Sequence, residues 1–210
     1  HDLLDQELRS ERASLLAPSY GHNFLLYQGH AFSLKGRLPR SGVSLVQAWK
    51  ILRPVYLQVA VYHKEGKSSG SFSLRDIDSP PGQPCRLNHF SPAAYLESHQ
   101  ILRDAEGMVT DFHSAPEVLY QENPTPASDQ WVLARLLFEV IHGGDYPDPS
   151  LRVHIRLLGQ ADSNRAFAPY IGSLGNLKQI FYRMAQAQPS LRFASLGEAI
   201  GAIDQALSGQ

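Results

Sequence analysis

The feature that most constrains this chain is a run of residues with no polar face. Residues 128–142 read Ser-Asp-Gln-Trp-Val-Leu-Ala-Arg-Leu-Leu-Phe-Glu-Val-Ile-His. A helix of this sequence is apolar nearly all round, and such a helix lies inside a protein rather than on its surface. The chain must therefore surround this segment with other elements. At 210 residues it is long enough to do so within one domain.

Further helices are predicted on both sides of this segment. Apolar residues recur at helical spacing along Ser44–His63, where the first Ser can cap the helix and Pro54 is expected to kink it. Later in the chain the same spacing predicts helices over 151–158, 174–187 and 195–207. The second half is therefore predicted to be all-helical.

The remaining sequence predicts one more helix, short strands and loops. Leu3–Leu16 has the spacing of an amphipathic helix. Residues 35–43, with two Gly and one Pro, are predicted to be a connector, and regular structure is predicted to be sparse over 91–127. Four short strands are predicted: Asn23–Tyr27 and Ala31–Leu34, which form a hairpin, and Phe72–Ile77 and Cys85–Phe90.

Composition and charge exclude several classes of protein. The formal net charge is −1 and no basic stripe is present, so a nucleic-acid partner is not expected. No apolar run approaches a membrane span, and no secretory signal peptide opens the sequence. The single cysteine, Cys85, cannot form an internal disulfide and is expected to be buried. These features favour a cytoplasmic protein, and the lack of an initial Met indicates a domain of a longer one.

The most specific motif lies just before the apolar helix. Ala115–Leu119 reads Ala-Pro-Glu-Val-Leu, and Asp129 of a Ser-Asp pair follows Glu117 by twelve residues. A Pro-x-x-Arg, Pro189–Arg192, precedes the last predicted helix. This arrangement resembles the C-lobe of protein kinases. The resemblance implies a buried ion pair between Glu117 and Arg192, and an Asp129 that accepts backbone N–H bonds from the catalytic loop.

The resemblance also implies an overall architecture. It is an α+β, protein kinase-like fold, with a truncated or remnant N-lobe over residues 1–40 and a mainly helical C-lobe over residues 41–210. Leu3–Leu16 would correspond to helix αC, and the hairpin that follows to the last two strands of the N-lobe. Lys35–Leu38 would be the hinge and Ser44–His63 would be helix αE.

The positions of the catalytic residues follow from the same resemblance. The family's catalytic loop reads His-Arg-Asp-Leu-x-x-x-Asn. Ser69–Ile77 aligns with it, so that Ser71 stands at the general-base position and Asp76 at the position of the Asn. The family's metal-binding Asp-Phe-Gly lies about eighteen residues beyond the general base. The residue at that spacing from Ser71 is His89, in His-Phe-Ser.

These substitutions remove the groups that phosphoryl transfer requires. A kinase needs a carboxylate to accept the proton of the substrate hydroxyl, and Ser71 is not one. It needs a second carboxylate to hold Mg²⁺, for which the imidazole of His89 is a poor ligand. No Gly-rich phosphate loop and no Val-Ala-x-Lys strand occur before the predicted hinge. The resemblance thus implies a domain without a cofactor.

Two functions are compatible with this sequence. The first is a catalytically inactive pseudokinase, a regulatory domain that binds a protein or other domains of the same signalling polypeptide. The alternative is a divergent phosphoryl- or nucleotidyl-transferase that uses Asp76 with one metal, although an isolated loop carboxylate is more often a turn former. No zinc-type His or Cys pattern and no Gly-x-Ser-x-Gly elbow is present.

For the first function, the predicted binding face is the loop 91–114 together with the helix 151–158. The loop carries more apolar residues than a solvated loop needs, and they could instead pack on the helices beneath it. The candidate partner-binding residues are Tyr95, Ile101, Leu102 and Met108.

Overall fold

The described part of the protein is mainly helical, with small antiparallel sheets, which agrees with the α+β class. In the computed structural model the described residues are 13–16, 24–27, 32–70, 72–87, 114–119, 123–144 and 167–208. Their α-helices are α1 Leu34–Arg37, α2 Leu45–Lys64, α3 Pro116–Leu119, α4 Pro126–Ile141, α5 Lys178–Met184 and α6 Leu196–Leu207. Two 3₁₀ segments accompany them, Ala168–Leu177 and Pro189–Leu191.

Helix α4 is the centre of the core, as its sequence predicts. All fourteen side chains from Ser128 to Ile141 are buried. The helix contacts α2, α5 and α6, so helices surround it on several sides. It begins two residues earlier than predicted, because Thr125 rather than a later residue caps it. The Thr125 hydroxyl accepts the backbone N–H of Ser128, and the Ser128 hydroxyl accepts the N–H of Thr125.

Helix α2 confirms its predicted position and cap. The Ser44 hydroxyl accepts the N–H of Gln47, and the Gln47 side chain accepts the N–H of Ser44 in return, so both ends of a capping box are present. The helix runs on through Pro54 without interruption. Its buried face, which includes Trp49 and Leu52, packs on α4 and α6.

The strands of the first forty residues differ from their prediction. Ala13–Leu16 (β1) pairs antiparallel with Phe24–Tyr27 (β2), from Ala13 opposite Tyr27 to Leu16 opposite Phe24. The predicted helix Leu3–Leu16 is therefore wrong over its last four residues, and its earlier residues lie outside the described part. Backbone pairing with an extended neighbour outweighs a weak local helical pattern. Strand β2 is confirmed, but its partner precedes it instead of following it.

The residue range predicted as a hinge and connector contains a turn of helix. Leu34–Arg37 forms α1, in which Leu34 is buried. Ser33, predicted as part of a hairpin strand, forms a single β-bridge to Asp78 instead. The local sequence does not predict these features, because the bridge and the burial of Leu34 both depend on contacts with residues far away in sequence.

The second sheet differs from its prediction, and residues 88–90 of the predicted strand Cys85–Phe90 lie outside the described part. Ile77–Asp78 (β3) pairs antiparallel with Arg86–Leu87 (β4). The predicted strand Phe72–Ile77 is wrong before residue 77, because Ser73–Asp76 forms a turn closed by its own side chains. The expectation of a buried Cys85, just before β4, is confirmed.

In the last third of the described chain, one predicted helix is divided. The range 174–187 was predicted to be a single helix. It consists of the end of a 3₁₀ segment, with a break at Gly175 where φ is 46°, and then α5, and residues 185–187 are not helical. Helix α6 is confirmed, and the hydroxyl of Ser195 accepts the N–H of Glu198 at its start. The predicted helix 151–158 lies outside the described residues.

A close backbone approach gives a test of this packing. A Cβ at Gly42 would lie 1.8 Å from the carbonyl oxygen of Ile141, whereas a Cβ at Gly66 would have no atom within 4 Å, and both residues have positive φ. Gly66→Ala should lower the free energy of unfolding by about 1–2 kcal/mol, the cost of the left-handed conformation. Gly42→Ala should lose about 1–3 kcal/mol more, because the chain must shift. Equal losses in urea denaturation would contradict this packing.

Candidate functional site

The best-defined polar site of the described chain is the carboxylate of Asp129, in the first turn of α4. Its side chain is 0 % exposed. One oxygen, Oδ1, accepts the N–H of Gly70 at 3.0 Å and the hydroxyl of Ser68 at 2.8 Å. The other, Oδ2, accepts the N–H of Ser69 at 2.7 Å and lies 2.8 Å from Nε2 of His63. Four partners therefore satisfy the buried carboxylate.

These contacts hold a loop against the helical core. Residues 67–70 follow α2 without regular structure, and a loop normally has no partner for consecutive N–H groups. Here the N–H groups of Ser69 and Gly70 both donate hydrogen bonds to the carboxylate of Asp129. The carboxylate also lies in the first turn of a helix, where the helix dipole favours negative charge. Asp129 thus fixes the course of the loop up to the residue before Ser71.

Asp76 serves a different purpose, the closing of a turn. Its Oδ2 accepts the N–H of Ser73 at 2.7 Å and the hydroxyl of Ser73 at 2.8 Å. The N–H of Asp76 donates back to the carbonyl of Ser73 at 3.0 Å. This is the behaviour of a turn-forming carboxylate. Within the described ranges no group of three or more His, Cys, Asp or Glu side chains could hold a metal ion.

Glu117 and Arg192 lie together in the interior, as an ion pair between α3 and the segment that precedes α6. The two guanidinium nitrogens Nη1 and Nη2 bind the two carboxylate oxygens at 2.6 and 2.7 Å. Their side chains are 0 % and 5 % exposed. This parallel geometry is the strongest form of an Arg–carboxylate pair.

The rest of the Arg192 guanidinium is also bonded. Its Nε donates to the carbonyl of Gln186 at 2.9 Å, Nη1 to that of Ala127 at 2.9 Å and Nη2 to that of Ala187 at 3.3 Å. Together with the two bonds to Glu117, these use all five N–H donors of the side chain. The pair therefore joins three segments: the Ala-Pro-Glu helix, the first turn of α4 and the loop after α5.

A second set of contacts, which the sequence did not predict, joins two glutamine side chains to the backbone of distant segments. The Gln58 side chain accepts the N–H of Leu87 at 2.8 Å and donates to its carbonyl at 2.9 Å. Gln130 binds Phe193 in the same two-bond manner, at 3.1 and 2.9 Å. Because each amide binds both the N–H and the carbonyl of one residue, it takes the place of a neighbouring β-strand. The one signal available from sequence is a Gln at position 130, inside a helix that is mostly apolar.

Several predicted site residues lie outside the described part of the chain. They are Ser71, His89, Tyr95, Ile101, Leu102 and Met108. The structure therefore brings together Asp129 with the loop before Ser71, and Glu117 with Arg192. The carboxylate of Asp76 binds Ser73, in the turn 73–76.

Two buried groups have perturbed ionisation. Burial raises the pKa of the Tyr56 phenol, whose hydroxyl donates to the carbonyl of Leu133 at 2.8 Å. Burial also raises the pKa of the Cys85 thiol, against smaller opposite effects of Ser79 and Arg37. Both groups are thus kept in their neutral forms, and neither shows the activation expected of a nucleophile.

A surface ion pair joins α2 to α6. The Arg53 guanidinium binds both carboxylate oxygens of Asp204, and the indole N–H of Trp49 donates to the same carboxylate at 2.8 Å. The two charged side chains are 44 % and 38 % exposed. The hydrogen bond from Arg53 is the main reason that the pKa of Asp204 is lowered.

No known protein family matches the sequence. No curated protein matches it significantly either. In the described ranges, no helix has both the length and the apolar character that crossing a bilayer requires.

Arg192→Ala should destabilise the protein strongly, because it leaves the Glu117 carboxylate buried without its partner. The expected loss is about 3–5 kcal/mol in the free energy of unfolding, measured by urea denaturation. Arg53→Ala is the matched control, since it breaks a pair of similar geometry that faces solvent. Its denaturation midpoint should fall much less. An unchanged midpoint in Arg192→Ala would show that this ion pair does not hold the core together.

The Arg53–Asp204 pair should also leave a signature in the dependence of stability on pH. A carboxyl whose pKa is lowered on folding stabilises the native state above its unfolded pKa, about 3.9. This stabilisation is lost as the pH falls through the lower folded pKa. The difference in melting temperature between wild type and Arg53→Ala should therefore shrink between pH 6 and pH 2.5. A difference that stays constant over this range would exclude the pair as its source.

Proposed function

We propose that this chain is a degenerate protein kinase-like domain that binds a protein rather than transferring phosphate. Its partner would be a separate protein or another domain of the same polypeptide. The proposal combines the sequence resemblance with three features of the described residues: the order of the elements, the ion pair at Glu117, and the loop held by Asp129.

The order of the elements supports the first part of the proposal. The resemblance assigns α2 to helix αE and the loop after it to the catalytic loop. A two-stranded hairpin, β3 with β4, then precedes the position of the metal-binding motif, and the Ala-Pro-Glu helix α3 precedes the buried α4. Arg192 binds Glu117 of α3, the pairing that the resemblance implies for these two residues.

The observation that carries the proposal is which backbone N–H groups of the loop bind the Asp129 carboxylate. The resemblance gives Asp129 the role of binding catalytic-loop N–H groups, and a separate alignment places the general base at residue 71. The N–H groups that Asp129 binds are those of Ser69 and Gly70. Both residues belong to the segment Ser69–Ile77 that the alignment assigns to the catalytic loop, so the two assignments are compatible with one frame.

This frame puts a residue without a carboxylate where a kinase requires one. A serine hydroxyl does not accept a proton from the substrate at neutral pH unless another base assists it. In the same frame His89 replaces the Mg²⁺-binding carboxylate, and neutral imidazole is a poor ligand for this hard cation. The chain thus keeps the buried contacts of Glu117, Arg192 and Asp129 but lacks the reactive carboxylates. This combination supports a role in binding.

Nothing in the described residues favours the alternative, a transferase that uses Asp76 and one metal. The Asp76 carboxylate closes a turn through two bonds to Ser73. The binding face predicted from the sequence, the loop 91–114 with the helix 151–158, lies outside the described residues except for Ser114 and remains a prediction.

Thermal melting with nucleotide tests the proposal. A ligand at a hundred times its Kd stabilises a protein by about 2.7 kcal/mol, which gives a readily measured rise in melting temperature. We expect no Mg²⁺-dependent rise with millimolar ATP, although a rise with ATP and EDTA would be compatible with adenine binding alone. An active kinase serves as the positive control.

The variant Asp76→Asn separates the two candidate functions. If wild type shows a Mg²⁺-dependent rise and Asp76→Asn does not, the transferase is supported and the proposed function is wrong. If both proteins show the same rise, Mg-ATP binds through other groups, and the proposal of a nucleotide-independent binding domain also fails.

A further inference from the structure

Helix α4 contains a second buried charged group, whose purpose the kinase resemblance does not explain. The side chain of Arg135 is 0 % exposed and stands among apolar residues near the middle of the helix. Burying a guanidinium is costly unless its partners are well placed. One partner is Glu139, a turn later on the same helix. This pair alone could be replaced by two apolar residues at little cost.

The second partner of Arg135 lies in another part of the chain. Its Nη2 donates to the backbone carbonyl of Phe72 at 2.7 Å. Phe72 is two residues beyond Gly70, the last residue held by Asp129. Helix α4 therefore binds the backbone on both sides of Ser71. The carboxylate of Asp129 binds Ser69 and Gly70, and the guanidinium of Arg135 binds Phe72.

The segment that follows Phe72 is tied in turn to α1. The carbonyl of Leu74 accepts the N–H of Lys35 at 3.2 Å and the hydroxyl of Ser33 at 3.4 Å. Leu74 lies within the turn 73–76, which the bonds of Asp76 to Ser73 close. Hydrogen bonds at Phe72 and at Leu74, with the short backbone between these residues, thus connect Arg135 on α4 with the start of α1.

We infer that Arg135 is a positioning residue, which sets the segment 72–76 and through it holds α1 against the core. Helix α1 has only four residues, too few to be stable alone. Its attachment uses the segment that Arg135 holds, at Leu74, together with the bridge of Ser33 to Asp78 and the bond of Arg37 to the carbonyl of Ser79. The inference does not depend on the proposed function, since it uses contacts between described residues alone.

Amide hydrogen exchange followed by NMR tests this inference at Lys35, whose N–H is bound by Leu74. The variant is Arg135→Met combined with Glu139→Leu, which leaves no unpaired buried charge and should keep the fold. We expect the Lys35 amide to exchange about five- to tenfold faster, as for the loss of about one net hydrogen bond. Amides of α6, such as that of Ile203, should keep their rates.

Tyr56→Phe is the matched control. It removes another buried hydrogen bond to α4, the one to the carbonyl of Leu133, which is not part of the set that leads to α1. Lys35 should exchange at the wild-type rate in this variant. An unchanged Lys35 rate in the double variant would overturn the inference. So would an equal acceleration in Tyr56→Phe or in the α6 amides, because the effect would then be global.

Discussion

The structure depends on the carboxylate of Asp129, because it resolves a conflict that the sequence of α4 creates. A helix that is apolar nearly all round must be buried, yet a charged group buried with it is tolerated only when its bonds are satisfied. Asp129 obtains those bonds from the loop after α2. The requirement of one buried charge thus determines the path of a loop that has no regular structure of its own.

The same principle applies to the other charges of the core. Arg192 uses all its donors to join three segments, and Arg135 reaches from α4 to the carbonyl of Phe72. In each case a residue in or beside a regular element fixes an irregular one. Buried polar groups of this kind add less to stability than an apolar core does, but they select one arrangement of the loops. A binding surface made of loops benefits from that selection.

Elements with strong local signals were predictable from the sequence, whereas those made by distant contacts were not. Helices α2 and α6 have apolar periodicity, α4 is apolar nearly all round, and each has a capping Ser or Thr at or near its predicted start. Strand β1 was mistaken for a helix, because its partner β2 rather than its own sequence decides its conformation. The role of Gln130 was missed for the same reason. The contacts of Asp129 and Arg192 could be predicted only from the spacing of the motifs around them.

The central claim, that the Asp129 carboxylate holds the loop through the N–H groups of Ser69 and Gly70, is tested most directly by amide hydrogen exchange. In wild type the N–H groups of Ser69 and Gly70 should be protected, although they lie in a loop next to solvent. In Asp129→Asn an amide N–H₂ must face one of them in place of an oxygen, so at least one should lose its protection. Unprotected wild-type amides, or protection unchanged in Asp129→Asn, would contradict the account.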